Sequence, residues 1–302
     1  MANDRLFTGS GVALVTPFGA DGAVDEGVLR DLVRFQLREG TSALIVNGST
    51  GEASTMTPAE QRRSVEIARE EAGGKVPVVA GVGGSDTAAV SHLAREARAA
   101  GADALLVSPP PYNKPPQRGI IAHYRKVMDA GGDLPIIVYN VPGRTACNVT
   151  PETVEALAED PRVAGVKEAS GDISQVAELA RRVADRVALY SGNDDQVVPL
   201  LALGGVGVIS VLANVAPADT AAMVHRFLAG DVKGACALQL RYLPLIAALF
   251  REPNPIPVKA AVALLGFEAG EPRLPLVDAS PAVRKELAEA MRAVGLPVSR
   301  DS

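Results

Sequence analysis

Eight short apolar runs, each followed by a helical stretch, constrain the fold of this chain more than any other feature. The runs are rich in Val, Ile and Leu and lie at 12–18, 43–48, 76–82, 104–109, 135–141, 163–170, 187–193 and 206–212. They are apolar throughout rather than alternating, as expected for parallel strands covered on both faces. Eight such units predict an α/β fold, a closed (β/α)8 TIM barrel. An open, doubly wound sheet is the alternative for the same pattern.

The strand pattern stops after the eighth run, and only helical segments follow it. Helix starts are marked by a Thr or Ser cap followed by proline at Thr57-Pro58, Thr150-Pro151 and Ser280-Pro281. We assign residues 1–230 to the barrel that carries the active site. Residues 231–302 form a C-terminal helical appendage, whose expected role is packing or contact between subunits.

Charge and composition narrow the classes of partner. The chain carries a formal net charge of −5 with a pI of about 5.4, which gives no electrostatic reason to bind nucleic acid or anionic lipid. No apolar run approaches the roughly 18 residues that a membrane helix needs, and no signal-peptide pattern is evident. Two unclustered cysteines, Cys147 and Cys236, indicate reduced thiols. We therefore expect a cytoplasmic protein with small-molecule substrates and no nucleic-acid or membrane partner.

Lys167 is the first candidate for chemistry, since the active site of such a barrel lies at the carboxyl ends of its strands. Of the seven lysines in the chain, it alone falls within a proposed strand. Burial favours the neutral amine, which is the form that attacks a carbonyl group. Position alone leaves two interpretations open: a nucleophile that forms a Schiff base, or a strand-end lysine that reaches solvent or pairs with an acid.

Tyr139 and three further residues are candidates at neighbouring strand ends. Tyr139 ends the fifth run, where a phenol beside the lysine could move protons, although a core tyrosine fits the same position. Ser49 and Thr50 lie in a glycine-flanked turn that could hold a small carboxylate. Arg144 follows the fifth run and suits carboxylate recognition, or is a solvated surface arginine.

Metal and cofactor sites are not indicated. The three histidines, His92, His123 and His225, are isolated in the sequence. The glycine-rich segments lack the order and spacing of a dinucleotide fingerprint, and no Walker-type lysine motif occurs. We therefore predict chemistry without a metal or an organic cofactor.

Several ordered motifs together resemble the dihydrodipicolinate synthase and N-acetylneuraminate lyase family. They are Gly48-Ser49-Thr50-Gly51-Glu52, Tyr112-Asn113-Lys114-Pro115, the segments 139–145, 165–170 and 207–211, and Glu-Pro-Asn-Pro-Ile-Pro-Val-Lys at 252–259. The resemblance covers the chain from residue 11 to about 296. It implies a Schiff-base lyase in a TIM barrel, assembled as a homotetramer of two tight dimers. The arginine after Tyr-Asn-Val-Pro and the 252–259 segment look like the synthase branch, which condenses pyruvate with L-aspartate 4-semialdehyde in lysine and diaminopimelate biosynthesis.

The resemblance also implies roles for the residues of the imine site. Lys167 would form the imine with pyruvate, and Tyr139 would donate and accept protons. Thr50 would hold the pyruvate carboxylate, with the Ile209 main chain lining the same site.

Three further residues would serve the second substrate and proton exchange. Ser49 and Tyr112 would relay protons to bulk water, with Tyr112 reaching in from a neighbouring subunit. Arg144 would bind the carboxylate of the aldehyde.

The sequence departs from the family pattern in three places. Ser49 stands where many synthases have threonine and lyase members have serine. Pro109-Pro110-Pro111-Tyr112 replaces Pro-Tyr-Tyr, so one aromatic of the dimer contact is missing. The positions that bind feedback lysine in inhibited members correspond here to Pro58, Gln61, Ser85, Ala89 and Pro111, which include no acid. We expect little or no sensitivity to L-lysine.

Two alternatives to the synthase follow from these residues. One is a pyruvate-dependent aldolase or lyase of the same family that acts on a sugar acid. Ser49 and the 109–112 segment are the features that favour it. The other is a pyruvate-binding protein without catalytic activity, since a fold does not establish an activity.

Overall fold

A computed structural model describes residues 6–299 and places the eight strands in one closed, parallel barrel. The strands are β1 Gly9–Ala13, β2 Ala43–Val46, β3 Val78–Val82, β4 Ala104–Val107, β5 Ile136–Asn140, β6 Val163–Glu168, β7 Ala188–Ser191 and β8 Gly207–Ser210. Each strand pairs with the next, and β8 pairs with β1. The predicted TIM barrel is therefore confirmed, and the open sheet is excluded because no edge remains unpaired.

Helices surround the barrel and continue past its last strand. They are α1 Glu26–Arg38, α2 Pro58–Ala72, α3 Thr87–Ala99, α4 Gln117–Gly131, α5 Pro142–Thr145, α6 Pro151–Leu157, α7 Ile173–Val183, α8 Val197–Ala202, α9 Pro217–Leu228, α10 Val232–Leu249, α11 Ile256–Leu264 and α12 Pro281–Ala293. Short 3-10 turns lie at Ala53–Thr55, Asp194–Gln196 and Leu212–Asn214. The three cap-proline signals are confirmed, since α2, α6 and α12 begin at the prolines.

The first strand is the one that the sequence pattern misplaced. The apolar run at 12–18 predicts a strand there, whereas β1 begins at Gly9 and ends at Ala13. A Cβ atom on Gly207 would lie 2.2 Å from the Gly9 carbonyl oxygen, so these two strands approach at glycines. Leu14 and Phe18 are buried outside the strand, which means that the apolar run reports burial rather than strand pairing.

Aromatic rings close the end of the barrel opposite the carboxyl ends of the strands. Phe7 and Tyr190 stack with ring centroids 4.3 Å apart, and the Tyr190 hydroxyl donates to the Phe7 carbonyl at 2.7 Å. Apolar side chains from the strands fill the interior around them, and each fully buried aliphatic side chain contributes roughly 1.5–3 kcal/mol. The open end is thereby the one formed by the carboxyl ends of the strands.

The C-terminal region packs against the barrel and contains the longest helix, α10. By length and composition α10 could span a membrane, so the expectation that no segment approaches such a length is corrected. Lys233 and Arg241 lie within it, and it packs against α9 and α12. The turn between α10 and α11 reaches the mouth of the barrel, where Pro253 and Asn254 line a cavity. The division into residues 1–230 and 231–302 stays a prediction.

Candidate active site

Lys167 lies near the carboxyl end of β6 with its side chain inside the barrel. The residue is 5% exposed and stands in register with Tyr139 on β5 and Tyr190 on β7. A Cβ atom on Gly192 would lie 3.2 Å from the Lys167 Cε, so glycine at that position leaves room for the lysine chain. The local packing therefore accommodates a long side chain in an interior otherwise filled by apolar groups.

Burial sets the protonation state of Lys167. Desolvation is the largest cause and lowers the pKa of its amine to about 7, against an opposing effect of the Asp194 carboxylate and a further lowering by the Arg144 cation. Among residues 6–299, no carboxylate lies within ion-pair distance of its nitrogen. The interpretation as an exposed or ion-paired lysine is therefore wrong, and burial favours the neutral amine far more than in a solvated lysine.

Tyr139 lies directly against this amine. The Lys167 Nζ atom is 4.3 Å from the centroid of the Tyr139 ring. Burial raises the pKa of the Tyr139 phenol, while Arg144 and a hydrogen bond with the Ser49 side chain act in the opposite direction. The phenol is thus protonated at neutral pH, and the exposed Ser49 connects it with the surface.

The turn after β2 carries Ser49 and Thr50 over the mouth of the barrel. Gly81 on β3 permits its course, because a Cβ atom there would lie 2.3 Å from the Asn47 carbonyl oxygen. Thr50 is buried, and its hydroxyl oxygen accepts a hydrogen bond from Asn254 Nδ2 at 2.9 Å. This hydroxyl is therefore fixed by the C-terminal region rather than by the turn itself.

Arg144 lies at the rim of a cavity of about 330 Å³ at the barrel mouth. Its Nη2 donates to the Asn254 carbonyl at 2.8 Å, and the residue as a whole is exposed. The lining of the cavity also includes Ser49, Tyr139 and Leu276. Lys167, Thr50 and Ile209 are buried and are not part of this lining.

A buried carboxylate holds the end of β8, where Ile209 lies. Asp194 accepts hydrogen bonds from the Ser210 hydroxyl at 2.6 Å and from the main-chain N–H groups of Val211 and Leu212 at 3.0 and 2.9 Å. Ile209 itself is fully buried in the strand. The sequence analysis did not single out Asp194, although its place directly after the seventh apolar run was a usable signal.

Tyr112 is not brought to this cluster within the chain. It is 88% exposed, adopts a φ of +69°, and does not line the cavity. Its role in a proton relay stays a prediction that needs a second subunit.

A second buried lysine, Lys259, which the sequence analysis did not single out, connects the site with the C-terminal region. Lys259 Nζ lies 2.9 Å from Glu52 Oε1, and both side chains are 1% exposed. The other Glu52 oxygen accepts the Arg273 N–H at 2.9 Å, and Lys259 also donates to the Glu271 carbonyl. The turn that carries Ser49 is therefore tied at Glu52 to the segment after α11.

The fold and this cluster define a class: a TIM-barrel protein with a buried lysine and a phenol at the carboxyl ends of its strands. The chain belongs to the dihydrodipicolinate synthetase family, whose profile matches residues 6–294. The family resemblance seen in the sequence motifs is thereby confirmed.

Relatives extend over almost the whole chain. A 4-hydroxy-tetrahydrodipicolinate synthase of Caldicellulosiruptor bescii is 48% identical over 293 residues, covering 97% of this chain and 99% of that protein. A dihydrodipicolinate synthase structure from Cyanidioschyzon merolae with lysine bound has a TM-score of 0.94 at 40% identity, covering 97% and 100%. The chloride-inhibited enzyme of Acinetobacter baumannii, complexed with pyruvate, has a TM-score of 0.93 at 37% identity, covering 96% and 99%.

Proposed function

We propose that this chain condenses pyruvate with L-aspartate 4-semialdehyde to give 4-hydroxy-tetrahydrodipicolinate, a step of lysine and diaminopimelate biosynthesis, through an imine on Lys167. The observation that carries the proposal is the buried Lys167 amine, with a pKa of about 7, lying 4.3 Å from the centre of the Tyr139 ring. The reaction is the activity in the names of relatives that are 45–50% identical.

The first half-reaction follows from the Lys167 and Tyr139 pair. The neutral amine attacks the keto carbon of pyruvate, and Tyr139 supplies a proton as the carbonyl oxygen leaves as water. The resulting iminium draws electrons from the methyl group, which loses a proton and becomes an enamine. The Thr50 hydroxyl and the Ile209 main chain hold the carboxylate during these steps.

The second half-reaction needs the groups at the rim. The enamine carbon attacks the aldehyde carbon, and the new alkoxide takes a proton through Tyr139. The amino group of the second substrate then attacks the imine carbon and releases the Lys167 amine, so that one water is lost per pair of substrates. Arg144 binds the carboxylate of the aldehyde, while Ser49 and Tyr112 of the partner subunit return protons to solvent.

Substrate competition tests this function against the sugar-acid alternative. We expect kcat/KM for pyruvate with L-aspartate 4-semialdehyde to exceed that with a neutral sugar aldehyde by about 100-fold or more, because Arg144 forms charge-assisted hydrogen bonds only with an aldehyde that bears a carboxylate. A coupled assay with each aldehyde measures this, with Arg144→Gln as the control that should narrow the ratio. A higher rate with the sugar aldehyde would overturn the proposal, and absence of borohydride trapping with pyruvate would favour the non-catalytic alternative.

Inhibition by L-lysine is expected to be weak or absent. Gln61, at one of the corresponding positions, uses its amide to donate to the Ala53 and Met56 carbonyls, and Pro58 begins α2. No side chain at the five positions carries the negative charge that a lysine ammonium requires. The measurement is a titration of the condensation rate with L-lysine. Half-inhibition at an L-lysine concentration well below about 1 mM would contradict this prediction. Such inhibition corresponds to a binding free energy more favourable than roughly −4 kcal/mol.

For the assembly we propose a homotetramer of two tight dimers located in the cytoplasm, with no nucleic-acid or membrane partner. Exposed apolar side chains support self-association, among them Tyr112, Leu240 on α10 and Phe250 after it. A cytoplasmic location agrees with Cys147 and Cys236, which are free thiols.

A further inference from the structure

Asn254 stands between the two groups that would bind the substrate carboxylates. Its side-chain Nδ2 donates to the Thr50 hydroxyl oxygen at 2.9 Å, and its main-chain oxygen accepts from Arg144 Nη2 at 2.8 Å. The residue is 5% exposed and comes from the turn before α11, far from both partners in sequence. One residue of the C-terminal region therefore contacts both sites.

The direction of the first hydrogen bond determines what Thr50 can do. A hydroxyl has one hydrogen to donate and two lone pairs to accept with. Because the Thr50 oxygen accepts from Asn254, its own hydrogen points elsewhere, and within residues 6–299 it has no protein acceptor. The hydroxyl is thus prepared to donate to an anionic ligand, which a carboxylate accepts strongly.

The other side-chain atom of Asn254 argues against a purely structural role. Its Oδ1 is buried and has no hydrogen-bond partner in the described part of the chain. An unsatisfied buried acceptor destabilises a fold by about 1–3 kcal/mol, and an apolar residue of similar volume would avoid this loss. An amide at this position is therefore explained better by the donor that it presents to Thr50.

We propose that Asn254 is a positioning residue, which orients the Thr50 hydroxyl toward the pyruvate carboxylate through its side chain and the Arg144 guanidinium through its main chain. This inference rests on the proposed function and adds a residue to the same site. Replacing the side chain should weaken pyruvate binding alone, since the Arg144 contact is made to the main chain.

A double-mutant cycle tests the proposal. The pyruvate concentration for half-maximal borohydride trapping of Lys167 is measured for the wild type, Asn254→Ala, Thr50→Val and the double variant. We expect increases of about 5-fold for Asn254→Ala and about 10-fold or more for Thr50→Val, as for loss of hydrogen bonds to a charged group. The double variant should match Thr50→Val within a factor of about 2, because Asn254 acts only through the hydroxyl that is already gone.

A variant of nearly the same volume, Asn254→Asp, allows the same test if Asn254→Ala disturbs the fold. Asn254→Asp preserves the volume but replaces the donor by an acceptor, so the Thr50 hydrogen would turn to the new carboxylate. We expect it to raise the half-maximal pyruvate concentration at least as much as Asn254→Ala. Wild-type affinity in Asn254→Asp, or additive losses in the double variant, would overturn the inference. Failure of the wild type to be trapped would instead overturn the proposed function.

Discussion

Replacing Lys167 with methionine is expected to abolish borohydride trapping of pyruvate and to lower kcat for the condensation by roughly 10⁴-fold or more. Methionine is similar in length and apolar, so it fills the space beside Tyr139 and Gly192 without an amine. No imine can then form, and the pyruvate methyl group loses the electron sink that makes it acidic. Mass analysis of the trapped peptide and the coupled assay measure the two effects.

The pH dependence of borohydride trapping tests whether the Lys167 amine has the lowered pKa that its burial implies. With a Lys167 pKa of about 7, the rate of imine formation should fall about tenfold per pH unit below pH 7 and level off above it, since only the neutral amine attacks. Circular dichroism should show a folded Lys167→Met variant. A trapping rate that keeps rising from pH 8 to pH 10 would mean an ordinary, solvated lysine.

The same pKa shift makes the stability of the wild type depend on pH. The folded-state pKa lies below that of an unfolded lysine, so between about pH 7 and pH 10 the unfolded chain binds the additional proton. This residue therefore makes the free energy of unfolding rise with pH in that window. This rise should be missing from Lys167→Met. Subtracting the pH dependence of its unfolding free energy from that of the wild type isolates the contribution of Lys167 from those of other titrating groups.

The fold was largely predictable because the barrel repeats one local signal eight times. Each strand is a short apolar run between helices, and burial on both faces leaves that run uninterrupted. The signal fails where a segment is buried but does not pair as a strand. The 14–18 segment is an example, since it is buried as a loop after β1. It also misses α5 and α8, whose 4 and 6 residues are too short to show a helical period.

The candidate site was predictable only where it is built from consecutive strands. Tyr139 and Lys167 follow from strand order, since adjacent parallel strands place their carboxyl ends side by side. Asn254 and Lys259 did not emerge from this reasoning, because their partners Thr50 and Glu52 lie more than 200 residues away in sequence and no local period links them. The relay role predicted for Tyr112 involves a second subunit, whose position does not follow from the sequence of one chain.

The largest effect on stability is expected from breaking the buried pair of Glu52 and Lys259. Lys259→Met should lower the free energy of unfolding by about 3–5 kcal/mol, because it leaves the Glu52 carboxylate buried with, among residues 6–299, only the Arg273 main-chain N–H as a partner. Adding Glu52→Gln should recover part of the loss, since a neutral amide oxygen still accepts that N–H and carries no uncompensated charge. Denaturant unfolding of the wild type and of these two variants measures these differences.

The position of this pair also links stability to catalysis. Glu52 ends the turn that carries Ser49 and Thr50, so Lys259→Met should also raise the pyruvate concentration needed for half-maximal trapping. Lys285→Met is the matched control: its amine is exposed and lies 3.9 Å from Glu289 one helical turn away, an arrangement that contributes little. If Lys259→Met were as stable as Lys285→Met, the buried pair would not be what secures the turn, and the C-terminal region would hold the site mainly by apolar packing.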